Sequence, residues 1–226
     1  MDLVRAFTYF QEDENWTNKI PVTVVIGIIP IVNLAVFGWA LDLIRNMLDG
    51  VPNPTPDWND IGTQFVDRWV RGLILAIVGF IYFLPMLIVA GIVNGVFLSI
   101  ALGSRGGFGV VSLAGLCITV ISLIYFAIVW LPLSIAIMRY ARTRDFNNFL
   151  QIARNFKLAM DNLNTMVMLA VLIFIVGLIV GLLGNIPCIG FLISLLAAPF
   201  TAIVEGHLIG QAAIEIAAKT RGSGTA

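Results

Sequence analysis

The sequence predicts an all-α, polytopic membrane protein with four full transmembrane helices, and three observations support this fold class. Hydrophobic residues make up 59% of the chain and charged residues only 12%, whereas a soluble domain carries about 25% charged residues. Four runs contain no Asp, Glu, Lys or Arg, and each reaches the roughly 20 residues that an apolar helix needs to cross a bilayer. Amphipathic segments with helical periodicity lie between the runs. The uncharged runs are residues 20–41, 72–104, 106–138 and 162–204.

The chain is predicted to form one integral membrane domain over residues 1–218, which includes an N-terminal re-entrant or short helical hairpin and cytoplasmic amphipathic helices. Residues 1–19 are predicted to contain an interfacial helix, because Leu3, Phe7 and Phe10 share one helical face. This segment carries acidic and basic side chains and no apolar core of its own, so it does not resemble a cleavable signal peptide.

Residues 20–48 are predicted to form the short hairpin. The first arm, residues 20–29, ends at Pro30 and would be about 15 Å long, which is half of a bilayer core. The second arm runs from residue 31 to about residue 47. A short arm, a proline and a longer arm favour a shallow re-entrant hairpin, and the alternative is one kinked span.

Residues 59–71 are predicted to form an amphipathic helix after a loop with three prolines, residues 50–58. Ile61, Phe65 and Trp69 recur at positions i, i+4 and i+8 of this helix, so they form one apolar stripe. Such a stripe is typical of a helix that lies at the membrane interface and leads into the next span.

Residues 72–104 and 106–138 are predicted to be two spans joined by a turn at Arg105. Both runs are longer than a perpendicular span requires, and both contain an aromatic-Leu-Pro motif, which ends at Pro85 in the first and at Pro132 in the second. Tilt, a proline kink or extension beyond the hydrocarbon core would absorb the excess length.

Residues 145–161 are predicted to form a second amphipathic helix, with Phe146 and Phe149 on its apolar face. The polar connection around it places this side of the membrane in the cytoplasm by the positive-inside rule. Its basic residues are Arg139, Arg142, Arg144, Arg154 and Lys157.

Residues 163–183 and 188–212 are predicted to be the last two spans, separated by a turn at Pro187, and residues 219–226 form a tail. Counting spans from the basic connection places both termini in the cytoplasm. The expected location is therefore the cell membrane of a bacterium or archaeon, with a multi-pass topology.

Few side chains in the sequence suggest chemistry. It contains no Gly-rich phosphate loop, zinc-binding helix or nucleophile elbow, so neither a cofactor nor a metal nor an enzymatic activity is expected, and a net charge of zero gives no argument for nucleic acid. Ionisable groups at membrane depth are often functional, which makes Glu205, His207 and Asn33 a candidate polar membrane site. Residues two apart point to different helix faces, so a polar pair at the headgroup boundary is favoured over an ion-linked role.

Three pairs of glycines have the small-xxx-small spacing that lets transmembrane helices approach closely. Helix packing within the chain is the expected role of these pairs, and an oligomer interface is the alternative. The pairs are Gly91 with Gly95, Gly177 with Gly181, and Gly206 with Gly210.

Several short motifs are spread along the chain: Ile29-Pro30-x-x-Asn33, Pro56-x-Trp58-x-Asp60-x-Gly62-x-x-Phe65, Pro187-x-x-Gly190 and Gly206-His207-Leu208-x-Gly210-Gln211. Together they resemble a prokaryotic membrane family known as domain of unknown function 4013. The resemblance covers nearly the whole chain, and the N-terminal block with its Pro- and Trp-containing loop is the most specific part. The family name implies no activity, so it implies no catalytic or binding residues either. It does draw attention to the loop, since motif-dense polar loops often carry function, and makes Pro56, Trp58, Asp60 and Phe65 candidate partner-binding residues.

Three functional hypotheses follow. The favoured one is a non-enzymatic accessory or scaffold subunit, which binds a protein partner or a second copy of itself at its cytoplasmic face. The alternative is a small oligomeric transporter or channel, because broken helices expose backbone groups that can bind ions. The third is a lipid-handling or membrane-shaping protein, based on the interfacial stripes at residues 3–10, 61–69 and 146–163 and on the expected contact with membrane lipids.

Overall fold

A computed structural model describes residues 1–103, 107–186 and 190–222, and every regular element in these ranges is helical. The predicted turns at Arg105 and Pro187 and the end of the predicted tail lie outside the described residues. The elements are α1 (Leu3–Thr8), a 3₁₀ helix (Tyr9–Glu12), α2 (Trp16–Ile28), α3 (Leu34–Leu48), α4 (Ile61–Gly103), α5 (Gly107–Thr143), α6 (Asn147–Leu150), α7 (Ile152–Asp161), α8 (Leu163–Gly184) and α9 (Gly190–Gly222).

Three helices in the described part of the chain are long and apolar enough to cross a membrane, which confirms the all-helical, membrane-compatible class. They are Gly62–Ala101 within α4, Gly115–Thr143 within α5, and Leu163–Gly184. The fourth predicted span, residues 188–212, begins outside the described residues and continues into α9. The fourth span, the re-entrant hairpin and the cytoplasmic position of the termini therefore stay predictions.

The first uncharged run is divided into two helices at Pro30. Proline lacks an N–H group and disfavours the helical region for the residue before it, and Ile29 is accordingly extended, with φ −84° and ψ 117°. Ile31 follows with φ 71°, a left-handed conformation that is uncommon for a β-branched residue. Both arms, α2 and α3, pack against α9, and α3 also packs against α4.

Helix α3 lies at the centre of the bundle because glycines bring its neighbours close. A Cβ atom at Gly38 would overlap the backbone of Arg68, and one at Gly72 would overlap the backbone of Leu34, so α3 and α4 are in direct backbone contact. On the other side, α9 approaches α3 through Gly206 and Gly210. The α3 side chains Trp39 and Leu43 are fully buried as a result.

Helix α4 runs without interruption through the predicted amphipathic helix and the predicted span, and Pro85 lies inside it. No helix-breaking sequence separates the two predicted elements, and the contact of Gly72 with α3 holds the helix at their junction. Tyr82 is the last α4 residue that packs against the hydrophobic core, and Trp130 is the first described α5 residue that does. The distal half of the α4–α5 hairpin therefore extends beyond the rest of the bundle.

The predicted amphipathic helix at 145–161 is two helices, α6 and α7, which meet at Gln151. Its polar edge faces the protein, because the guanidinium group of Arg139 donates to the Asn155 Oδ1 atom at 2.6 Å and to the Gln151 Oε1 atom at 2.8 Å. Apolar side chains such as Ile152 and Phe156 are exposed, as is typical of a helix whose apolar face lies against lipid.

Candidate functional site

The candidate partner-binding loop is anchored to the protein's own helices. Trp58 is buried, and its indole N–H donates to the Thr23 hydroxyl of α2 at 2.8 Å. The Pro56 carbonyl accepts a hydrogen bond from the indole N–H of Trp39 at 3.0 Å. Because buried indoles need an acceptor for the N–H group, these contacts give Pro56 and Trp58 structural roles within the chain.

The other two loop candidates lie at the start of α4. Asp60 is exposed and accepts hydrogen bonds from the backbone and the hydroxyl of Thr63, which is the geometry of an N-cap. Phe65 is partly buried and packs against the core around Trp39 and Trp58. The structure therefore brings Pro56, Trp58 and Phe65 to one core cluster and leaves Asp60 at the surface.

A cluster of charged side chains links this loop to α3, α4 and the end of α5. Asp42 is its centre, and its carboxylate accepts from Arg68 Nε at 2.9 Å and from Arg71 Nη1 at 2.5 Å. It also accepts from Arg144 Nη2 at 3.2 Å. Asp67 adds a second carboxylate, 2.7 Å from Arg71 Nη2.

The cluster is buried at one end and open at the other. The side chains of Arg68 and Arg71 are only 6% and 8% exposed, whereas those of Arg144 and Asp67 are 41% and 54% exposed. The Arg68 guanidinium carbon also lies 4.3 Å above the ring centre of Trp58, which is a cation–π distance. The exposed end borders a polar recess of about 510 Å³.

The electrostatics of Asp42 follow from this geometry. Burial alone would raise the pKa of the Asp42 carboxyl, but the hydrogen bonds and positive charges of Arg71 and Arg68 outweigh burial and hold that pKa below its ordinary value. Asp42 is therefore ionised at neutral pH. Because every cation of the cluster already has an anionic partner, the cluster acts as a structural clamp between α3, α4 and α5.

The three residues of the candidate polar membrane site lie apart. His207 is buried and stacks on Tyr9, with 4.1 Å between ring centres, and its Nδ1 atom lies 3.0 Å from Gln211 Nε2. These contacts hold the N-terminal segment against α9. Asn33 lies in the break between α2 and α3. Glu205 points to a different part of the bundle from His207, as expected for residues two positions apart on a helix.

Glu205 borders a partly open cavity of about 300 Å³ that lies between α3, α4, α5, α8 and α9. Within the described residues, the Glu205 carboxylate has no hydrogen bond or ion pair. Among the described residues that line the cavity, all are apolar except Glu205, Ser134 and Thr201. Apolar members of the lining include Phe37, Leu41, Leu75, Trp130, Ile173 and Ile209.

A larger groove of about 780 Å³ lies between α5 and α8 and is also lined by Trp130 and Ile173. The two hollows therefore share these two side chains in their linings. Gly177 and Gly181 face the groove, and there is open space above both glycines.

The glycine pairs divide into two kinds. Gly206 and Gly210 are buried in helix contacts within the chain, where a Cβ atom would meet Ala40 or Met47. Gly91 and Gly95 on α4 are exposed, with nothing within 4 Å of a Cβ atom. Gly206 and Gly210 therefore serve helix packing within the chain, as the sequence indicates. Gly91 and Gly95 make no helix contact with the described part of the chain.

Sequence reasoning overlooked the Asp42 cluster and the Glu205 cavity. The cluster joins residues 26, 29 and 102 positions apart, and only the placement of Asp42 directly after an uncharged run gave a signal for it. The described residues contain no group of three His, Cys, Asp or Glu side chains that could hold a metal ion.

Comparison with known proteins gives one match. A family model described as "Protein of unknown function (DUF4013)" matches residues 22–189. No curated protein and no solved structure matches the chain. The match covers the hairpin region, the loop, the charged cluster and the helices α4 to α8.

Proposed function

Because this chain belongs to the family described as proteins of unknown function (DUF4013), whose name specifies no activity, we propose a function from the geometry: a non-enzymatic accessory subunit that binds a transmembrane helix of a partner protein along α4. The observation that carries the proposal is an exposed face of α4, formed by Gly91, Asn94 and Gly95, on a segment that, within the described residues, packs mainly against α5. The sequence placed the partner at the cytoplasmic loop. The burial of Pro56 and Trp58 favours the membrane-embedded face instead.

The length of α4 supports this proposal. Its apolar part, residues 72–103, would extend about 48 Å along the helix axis at 1.5 Å per residue, whereas a bilayer core is about 30 Å thick. The segment beyond Tyr82 has no core contact. A long apolar hairpin with no internal partner offers two faces to other membrane-embedded chains.

The chemistry of the exposed α4 face supports a helix as the occupant. Close helix packing in membranes uses small residues and interhelical hydrogen bonds, and the chain itself uses Gly206 and Gly210 in this way. The Asn94 amide group donates to the Ala90 carbonyl of its own helix at 2.9 Å. Its side-chain oxygen accepts no hydrogen bond within the described residues, so it is available to a neighbouring helix.

Site-specific photo-cross-linking in native membranes tests the proposal. A photoreactive residue at Leu98, one turn from Gly95, should cross-link to one membrane-embedded partner, while the same residue at Leu123 on α5 should not. Replacing Gly91 with Leu should reduce the cross-linked yield roughly tenfold or more, because the added side chain separates the helices. The matched control is Gly79→Leu, which also has open space around it but lies on another face of α4.

Three results would contradict the proposal. Cross-linking to lipid alone would show that the α4 face has no protein occupant. A cross-link to a second copy of this chain would show a homo-oligomer rather than an accessory subunit. Equal yields for Gly91→Leu and Gly79→Leu would also exclude the glycine face as the contact.

A further inference from the structure

We propose that the Glu205 cavity and the α5–α8 groove together form a binding site for a lipophilic amine, with the ammonium group at Glu205 and the apolar body in the groove. This inference is independent of the proposed partner contact, which lies on α4. It rests on the shape of the two hollows and on the unpaired carboxylate.

The carboxylate is the first argument. A charged group in an apolar environment costs several kcal/mol unless it is paired, and ionisable side chains among membrane helices usually have a functional partner. The arginines of the Asp42 cluster do not supply one, since Arg68, Arg71 and Arg144 are bound to Asp42 and Asp67. Glu205 therefore has capacity for an external cation or hydrogen-bond donor.

The shape of the site is the second argument. The cavity of about 300 Å³ and the groove of about 780 Å³ lie side by side and share Trp130 and Ile173 as lining side chains, and ligand pockets commonly have volumes of about 300–1,000 Å³. The groove is lined by apolar side chains from α5 and α8, such as Leu131 and Phe174. A molecule with a long apolar body and one polar end fits this arrangement.

The chemistry of the lining identifies the polar end. A hard metal ion is disfavoured, because Ca²⁺ takes six to eight oxygen ligands and, in the described part of the lining, only Glu205, Ser134 and Thr201 carry side-chain oxygens. A zwitterionic lipid headgroup is also disfavoured, because its phosphate would meet no cationic side chain in the cavity. A simple ammonium group matches the single negative charge.

Saturable binding of radiolabelled dodecylamine to the full chain in phosphatidylcholine nanodiscs tests this proposal. Glu205→Gln should weaken amine binding roughly tenfold or more, since it removes a charge pair from a desolvated site, and should leave binding of the neutral analogue dodecanol unchanged. Ala202→Leu, which fills part of the cavity, should weaken binding of both molecules. The control Glu14→Gln removes an exposed carboxylate and should change neither.

Three outcomes would overturn the proposal. These are non-saturable partitioning of dodecylamine, equal affinity of the wild type and Glu205→Gln, and equal loss of amine and alcohol binding in Glu205→Gln. Nanodiscs that contain phosphatidylethanolamine separate the two sources of an amine. Competition by that lipid would reassign the site to a membrane headgroup, whereas unchanged dodecylamine affinity would support a free amine.

Discussion

Replacing Asp42 with Asn is expected to destabilise the fold more than any other single change in the charged cluster. The variant keeps the size of the side chain but removes the negative charge that faces Arg68, Arg71 and Arg144. Arg71 retains Asp67 at 2.7 Å, whereas the side chain of Arg68, only 6% exposed, loses its carboxylate partner. Leaving a buried charge unpaired costs about 3–5 kcal/mol.

Because Asp42 is itself 15% exposed, we expect the lower end of that range. A loss of about 3 kcal/mol corresponds to a factor of roughly 150 in the folding equilibrium. Asp67→Asn is the matched control, since Asp67 also binds Arg71 but is 54% exposed, and exposed pairs contribute about 0–1 kcal/mol.

The free energy of unfolding in mixed micelles, titrated with SDS, provides the measurement. A decrease in the free energy of unfolding of less than about 1 kcal/mol for Asp42→Asn would contradict the expected cost of leaving Arg68 unpaired. An equal decrease for Asp67→Asn would contradict it as well. The pH dependence gives a second check. The folded-state pKa of Asp42 lies below its ordinary value, so its contribution is present at neutral pH and is lost as the pH falls through the folded-state pKa. The difference between wild type and Asp42→Asn should therefore shrink in acid.

Two further predictions concern helix packing and the loop. Gly38→Ala should destabilise the protein by about 1–3 kcal/mol, because the added methyl group forces α3 and α4 apart. The control Gly79→Ala, where the space is open, should be neutral or slightly stabilising. The same SDS titration measures both variants, and equal effects would argue against the α3–α4 backbone contact. Trp58→Phe keeps an aromatic ring beside Arg68 but removes the hydrogen bond to Thr23, so it should lower the free energy of unfolding by about 1 kcal/mol. Thr23→Val removes the acceptor of the same hydrogen bond and should cost a similar amount. An unfolding midpoint of Trp58→Phe equal to that of the wild type would contradict a stabilising Trp58–Thr23 hydrogen bond.

Local physical rules predicted the parts of the fold that depend on neighbouring residues. Pro30 interrupts the first uncharged run because proline excludes a helical hydrogen bond, and this effect needs no tertiary contact. Pro85, by contrast, lies inside a continuous helix, since a proline can bend a long helix without ending it. The change of polarity at residue 72 suggested an amphipathic helix over residues 59–71 followed by a separate span. The structure has one helix, α4, through both segments, because a change of side-chain polarity does not interrupt the backbone hydrogen bonds.

The charged cluster and the cavity could not be predicted in the same way, because both depend on contacts between distant segments. Nothing near Asp42 in the sequence indicates that Arg144 will reach it. Trp58 carried a sequence motif that suggested a binding surface, yet its indole N–H found an acceptor on α2. An amphipathic pattern predicts that a side chain will be buried, but not whether its neighbour belongs to the same chain.

The central position of α3 has a consequence for biosynthesis. About 170 residues separate Gly38 from Gly206, which α9 places against the same helix, and translation at about 5–20 residues per second leaves an interval of roughly 10 to 30 s before α9 emerges. During that interval the described neighbours α2, α4 and α5 can pack against α3, but the flank that α9 covers stays open to quality-control proteases. A ribosome that stalls before α9 is made would release a product whose earliest segments can never complete their packing.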